Sequence, residues 1–231
     1  MPKYIEELVS QQVRRSELAR QRQISEGKLC ARPVVTISRR MGSGARVVAE
    51  KLAHDLGWSL WSKELLDAIA EDADVSRKVV EAFDEKTISE IELFAHAALG
   101  DFEMGDFIYK KHLIKAVAAI AKLGNVIILG RGANFLLPDA LHIRIDASDE
   151  HRIQNMVKYE GLTRTEAEAK LRESDKARQH FLFSAFGRER VLAAQYDLSI
   201  LMDKFSPDDA AKIIESAIEV YCRPNEEFSA K

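Results

Sequence analysis

The apolar positions of this chain fall into two rhythms, and the alternation between them predicts the architecture. Short apolar runs occur at Val34–Ile37, Trp58–Trp61, Val126–Leu129, Leu141–Ile145 and Leu198–Met202, unbroken at Val126–Leu129 and interrupted by one or two polar residues in the others. Runs of this kind, bounded by glycine or polar turns, read as strands of a parallel sheet covered on both faces. Between them the apolar residues return at helical spacing: Ala49, Leu52, Ala53 and Leu56; a segment from Ser62 through Ala70; and Val79 to Leu99, with Ile88, Ile91, Ala95 and Leu99 near one stripe. Phe107 to Leu123 is apolar almost all round, through Leu113, Ile114, Val117, Ala118 and Ile120, which predicts a well-buried helix. A closing helix carries Ile214, Ala217, Ile218 and Tyr221 on one face. Strands alternating with helices predict an α/β fold, with a doubly wound, mostly parallel sheet of about five strands.

Polar punctuation sets the boundaries. Gly57 reads as a helix C-cap, and Gly124 ends the apolar helix. The stretch Gly100 to Gly105 breaks the chain between two helices, and Ser206-Pro207-Asp208-Asp209 combines an N-cap, a proline at the first helical position and an acidic first turn. No strand pattern appears between about 149 and 195. Instead a helix carrying Arg152 and Lys158 precedes a capping box, Thr163-x-x-Glu166, that opens a second. This region reads as a helical insertion within one domain spanning 33–231. Residues 1–32 form a helical extension, apolar at Ile5, Leu8 and Val9 and fading into Gln11-Gln12 and Arg14-Arg15. It is expected to pack on the domain or on a second subunit, giving a homodimer through this helix.

Composition narrows the function classes. The 231 residues carry a formal net charge of −3, so no global basic field points to nucleic acid. No apolar run reaches the roughly 20 residues of a membrane span, and the polar N-terminus does not resemble a signal peptide. The two cysteines, Cys30 and Cys222, are far apart and lack a C-x-x-C partner. They predict reduced thiols and a cytoplasmic protein. His142 and His151 have no metal-ligand spacing, and no metal-ligand set is assigned. Trp58 and Trp61 read as core.

The candidate chemistry begins at Val34-Val35-Thr36-Ile37-Ser38-Arg39-Arg40-Met41-Gly42-Ser43-Gly44-Ala45-Arg46, a strand, a glycine-bearing loop and a helix. A helix opened in this way presents unpaired N–H groups and the positive end of its dipole to an anion. The pattern G-x-x-x-x-G-K-[ST] would place glycine at Arg39, lysine at Ala45 and a hydroxyl at Arg46, and all three are missing. The turn Gly130-Arg131-Gly132 and the segment Asp146-Ala147-Ser148 also follow strands. Ligands of such sheets bind beyond the carboxyl ends of the strands, so the three segments are expected to meet at one edge as a phosphate-handling site. In the helical insertion, Lys170, Arg172, Lys176 and Arg178 suggest a lid whose arginines close on transferring phosphates, with Asp175 orienting Arg178. Two blander readings stand beside these. A glycine turn also serves tight packing alone, and a basic helical run also makes a solvated face.

Taken together these motifs resemble the cytidylate kinases among the P-loop nucleoside monophosphate kinases. The match is nearer to the branch of cytidylate kinase-like proteins, whose phosphate loop reads I-S-R-x-x-G-S-G-G-R against Ile37 to Arg46 here. The resemblance runs from about Pro33 to Tyr221 and takes in Asp175-Lys176-x-Arg178 and Tyr196-Asp197-Leu198. It implies a P-loop NTPase-like fold, ATP as phosphoryl donor with Mg²⁺, and a nucleoside monophosphate or similar small molecule as acceptor. Arg39, Met41, Gly42, Ser43, Gly44, Ala45, Arg46 and Val47 would form the donor-phosphate loop, with Arg46 substituting for the usual lysine. Ser62, Lys63, Gly130 and Arg131 would line the acceptor side, Arg131 gripping its phosphate, and Arg172 and Arg178 would be lid arginines. The chain departs from the pattern at Val47, where the magnesium-binding hydroxyl is expected, and at Leu129 and Gly132, which replace two aspartates. The alternative is a nucleotide-binding or regulatory protein that keeps the pocket without catalysis.

Overall fold

The strands are β1 (Val34–Arg39), β2 (Ser59–Trp61), β3 (Val126–Leu129), β4 (Leu141–Asp146) and β5 (Leu198–Leu201) in a computed structural model that describes residues 3–25, 33–72, 79–80, 83–99 and 107–222. They form one five-stranded sheet in the order β2-β3-β1-β4-β5, parallel throughout. The expected class is therefore the observed one, with the glycine-loop strand in the middle. Side chains alternate across it as the pleat requires. Val126 and Ile128 of β3 belong to one core, and Ile127 and Leu129 to the other.

Helices cover both faces. On one side α2 (Ala45–Leu56) and α10 (Pro207–Tyr221) bring Val48, Leu52, Ile214 and Ile218 against Val35, Ile37 and Ile143. On the other, α3 (Lys63–Glu71), α4 (Glu85–Leu99) and α5 (Phe107–Leu123) bring Leu66, Ile69, Ile91, Val117 and Ile120 against Trp61, Val126 and Ile128. Both tryptophans lie in the core, and Trp61 donates its indole N–H to Ser59 Oγ at 2.9 Å. The helical stretch expected from Val79 is interrupted. Asp84 accepts the Thr87 N–H at 2.8 Å and so caps a helix that starts at Glu85. The glycine break at 100–105 lies outside the described residues.

The N-terminal helix α1 (Lys3–Ser25) runs on past the point where its periodicity fades. Its Gln12 side chain accepts the Leu60 N–H of edge strand β2 at 2.9 Å, and Ser16 and Ser59 share a hydroxyl hydrogen bond of 2.6 Å. Val9 and Ala19 are buried, and Ile5, Leu8 and Val13 pack on the α3–α5 core. The extension is thus built into the domain, and a dimer through α1 would have to use its other, charged face. Cys222, just after α10, is disulfide-bonded, which overturns the expectation of a reduced thiol there. Among the described residues no helix is long and apolar enough to cross a membrane.

After β3 comes a one-turn helix, α6 (Ala133–Leu136), too short to leave a periodic signal. The insertion folds as α7 (Asp149–Glu160), α8 (Arg164–Phe186) and α9 (Arg188–Leu192). Ser148 caps α7, and the Thr163–Glu166 capping box opens α8 as predicted. Ile153, Met156, Ala167 and Leu171 make a small core of their own between α7 and α8. The register pairs Ile37 with Leu129 and Arg39 with Ile145, so the loops after β1, β3 and β4 emerge side by side at one edge.

Candidate active site

The loop after β1 turns on Gly42 and Gly44, both left-handed at φ 78° and 80°, before α2 begins at Ala45. Its neighbours fasten it from outside. Arg40 donates to Asp146 at 2.7 Å, to the Ala147 carbonyl at 2.9 Å and to Asp149 at 3.0 Å. From α7, buried Arg152 donates to the Met41 carbonyl at 2.7 Å, and Asn155 donates to the Gly42 carbonyl at 2.8 Å. The fit is close enough that a Cβ on Gly42 would stand 2.9 Å from the Arg152 carbonyl oxygen. Within the loop the Ser43 hydroxyl is buried and has no hydrogen-bond partner among the described residues.

The loop forms one wall of a cavity of about 690 Å³. Met41, Gly42, Ser43, Gly44, Ala45, Arg46, Arg39, Lys63, Gly130, Arg131 and Arg178 line it, so most of the expected site residues converge. Two of them, Arg39 and Arg178, make no hydrogen bond or ion pair among the described residues. Burial lowers the pKa of both. Arg39 is further pushed down by Arg178, Arg46 and Arg131, with Glu64 opposing, and Arg178 by Arg144. Desolvated guanidinium groups crowded by like charge are a standing cost that an anion in the cavity would relieve. Gly130 has a direct role here, because a Cβ at that position would lie 2.7 Å from Arg39 Nη1.

Arg131 is arranged differently. It holds a left-handed backbone at φ 50°, donates through two nitrogens to the Asp67 carboxylate, and lies 4.6 Å over the Phe181 ring. Asp67 also accepts the Tyr109 hydroxyl at 2.7 Å and stands 3.6 Å from Lys63. Burial opposes the Arg131 charge, but Asp67 raises its pKa above the ordinary arginine value. Asp67, Tyr109 and Phe181 were not legible as site residues. Their only local signal was position on helices flanking the glycine turn.

Other expected residues stand apart. Arg172 is exposed on α8 and does not line the cavity. Ser62 instead caps α3 through the Leu65 N–H. Asp175 binds Arg152 through both oxygens, at 2.8 and 2.9 Å, so it orients that residue rather than Arg178. Val47 faces solvent with 53% exposure, whereas Arg46, which lines the cavity, also pairs with Glu50 at 2.9 Å along α2.

The donors for a divalent cation do not assemble. No group of three His, Cys, Asp or Glu side chains suited to a metal occurs among the described residues. Asp146, Asp149 and Asp175 are each engaged by arginines, and the Ser38 hydroxyl donates to Asn134 at 3.2 Å. Of the carboxylates lining the cavity, Glu64, Glu160 and Glu173 come from three different helices, and Glu160 is paired with Lys170 at 2.5 Å. Glu64 stays ionised despite partial burial. Its own N–H, Ser62, Arg39 and Arg46 bring its pKa down.

A parallel five-stranded sheet in this order, with helices on both faces and a glycine loop after its central strand, defines a doubly wound α/β protein. Within that class, the family model of the cytidylate kinase-like family matches residues 34–204, and the chain belongs to that family. It is similar to a cytidylate kinase of Pyrococcus furiosus, 27% identical over 188 residues that cover 80% of this chain and 88% of the relative. A cytidylate kinase of Pyrococcus horikoshii is 33% identical over 100 residues, which cover 43% of this chain and about half, 52%, of the relative's length. Among solved structures, an uncharacterized protein from Eubacterium ventriosum has the same fold, with TM-score 0.52, 24% identity, and coverage of 81% of this chain and 98% of that one. The family supports a nucleotide kinase-like function and implies the use of ATP with Mg²⁺. For that metal the loop offers Arg46 where the usual pattern has a hydroxyl, and Asp146, Asp149 and Asp175 are already held by arginines, so the residues present do not fit it.

Proposed function

We propose that this chain is an ATP-dependent phosphotransferase that moves the γ-phosphoryl group to a nucleoside monophosphate or a similar small acceptor. One observation carries the reading: Arg39 and Arg178 face the cavity beside the glycine loop without a hydrogen-bond or ion-pair partner among the described residues. Phosphoryl transfer is catalysed mainly by positioning and by compensation of charge spread over equatorial oxygens. The loop backbone and the dipole of α2 would hold the donor phosphates. Arg39 and Arg178 would meet the transferring group, while Lys63 and Arg131 would lie on the acceptor side. Nucleotides are thus the partners this reading requires.

The test is ADP formation from ATP across a panel of nucleoside monophosphates and small phosphorylatable metabolites. Acceptor-dependent ADP is expected. Arg178→Ala should lower kcat by about 100-fold or more while changing nucleotide affinity less, as befits a contact made in the transition state. A second reading has its own observation. With Ala45 at the lysine position and Arg46 tied to Glu50, the loop lacks a free cation of the usual kind. Nucleotide binding without turnover on any acceptor would select a binding or regulatory protein, and absence of nucleotide binding would refute both readings.

A further inference from the structure

The mismatch between the family's metal and this donor set has a physical resolution within the cavity. A lysine and a divalent cation together bring three positive charges to a bound triphosphate, and three guanidinium groups bring the same number. Such groups stand here at Arg39, Arg46 and Arg178, all lining the cavity that the glycine loop bounds. Arg46 occupies the position where the common loop pattern places the hydroxyl that holds the metal. Its partner Glu50 is one turn along the same helix, with both side chains more than half exposed. Such a surface pair is weak and exchangeable. Among the described residues Arg39 and Arg178 have no hydrogen-bond or ion-pair partner to give up. We infer that this chain binds a nucleoside triphosphate without a divalent cation, the guanidinium groups of Arg39, Arg46 and Arg178 taking the metal's place on the phosphate oxygens.

The inference rests on the proposed nucleotide site and adds what neutralises the ligand there. Planar guanidinium groups suit this role because each offers several donors in a fixed fork, where an ammonium is a point charge. Of the cavity carboxylates, Glu160 is paired with Lys170, Glu173 stands on α8, and Glu64 is held by its own N–H and Ser62 in the field of Arg39 and Arg46. A carboxylate in the company of Glu64's arginines is a poor seat for a second cation.

Calorimetric titration of the full chain with ATP, once in EDTA and once in excess Mg²⁺, tests this directly. The expected result is affinity in EDTA equal to or tighter than that in Mg²⁺, because the metal and the guanidinium groups compete for the same oxygens. Binding that weakens by about tenfold or more on removing Mg²⁺ would overturn the inference and leave the nucleotide site standing. No binding in either buffer would overturn both. Arg46→Ser supplies a second arm. It is a surface change at the start of α2, and its folding can be checked by thermal melting. It should weaken ATP in EDTA by about tenfold, with part of the loss recovered in Mg²⁺ as the hydroxyl is restored. Unchanged metal-free affinity in folded Arg46→Ser would refute the role given to Arg46.

Discussion

Arg131 sits at φ 50° with its guanidinium on the Asp67 carboxylate and against the Phe181 ring. Each feature costs free energy on its own: a left-handed non-glycine residue is strained, and a partly buried cation needs a counter-charge. Asp67→Ala should therefore be destabilising, by about 3 kcal/mol, the low end for breaking a buried pair, since both side chains keep 17% exposure. Inorganic phosphate or pyrophosphate should then restore part of the loss, because an anion on Arg131 replaces the missing carboxylate. Urea denaturation of the variant with and without phosphate reads this out. Absence of phosphate-dependent recovery would remove Arg131 from the acceptor side.

Two loop glycines with the same backbone conformation have different surroundings, and that separates strain from crowding at the scale of elements. A Cβ on Gly44 meets only Met202 Cε at 4.0 Å, whereas one on Gly42 meets the backbone of α7 at 2.9 Å. Gly44→Ala should cost about 1–2 kcal/mol for its left-handed φ alone, and Gly42→Ala clearly more, measured by chemical denaturation. Equal costs would mean that α7 gives way easily. The sequence made the strands, the caps and the shared edge legible, because short apolar runs, Ser206-Pro207 and Thr163-x-x-Glu166 are local signals. It could not show the pairings across elements. Arg152 with Asp175 and Arg131 with Asp67 are separated by 23 and 64 positions, and no periodicity encodes such partners. Proximity in sequence drew Asp175 toward Arg178, while the fold gave it to Arg152. Which of Arg172 and Arg178 faces the cavity depends on how α8 docks. Phe186 is one point of that docking: it stacks on Phe135 at 4.9 Å and occupies the space a side chain at Gly132 would need.

For the molecule as a whole, α1 completes the sheet by occupying the outer edge of β2 with Gln12 and Ser16. An uncovered edge strand offers unpaired N–H groups to any other strand. Deleting residues 1–25 should therefore produce self-association, seen as higher mass by light scattering, together with a lower melting temperature from loss of the Val9 contact with the core. A monodisperse truncated chain with unchanged melting would show that α1 is dispensable cover.

The fastening of the glycine loop to α7 can also be read as mechanics. Arg152 and Asn155 grip the Met41 and Gly42 carbonyls, and Arg152 at the same time grips Asp175 on α8. The loop is thus the foot of a lever whose arm is the α7–α8 hairpin and whose tip is the turn at Gly161. The 12 residues of α7 give that arm about 18 Å of length. Any tilt at the foot would be carried along the arm to Glu160 and Lys170, which line the same cavity as the loop.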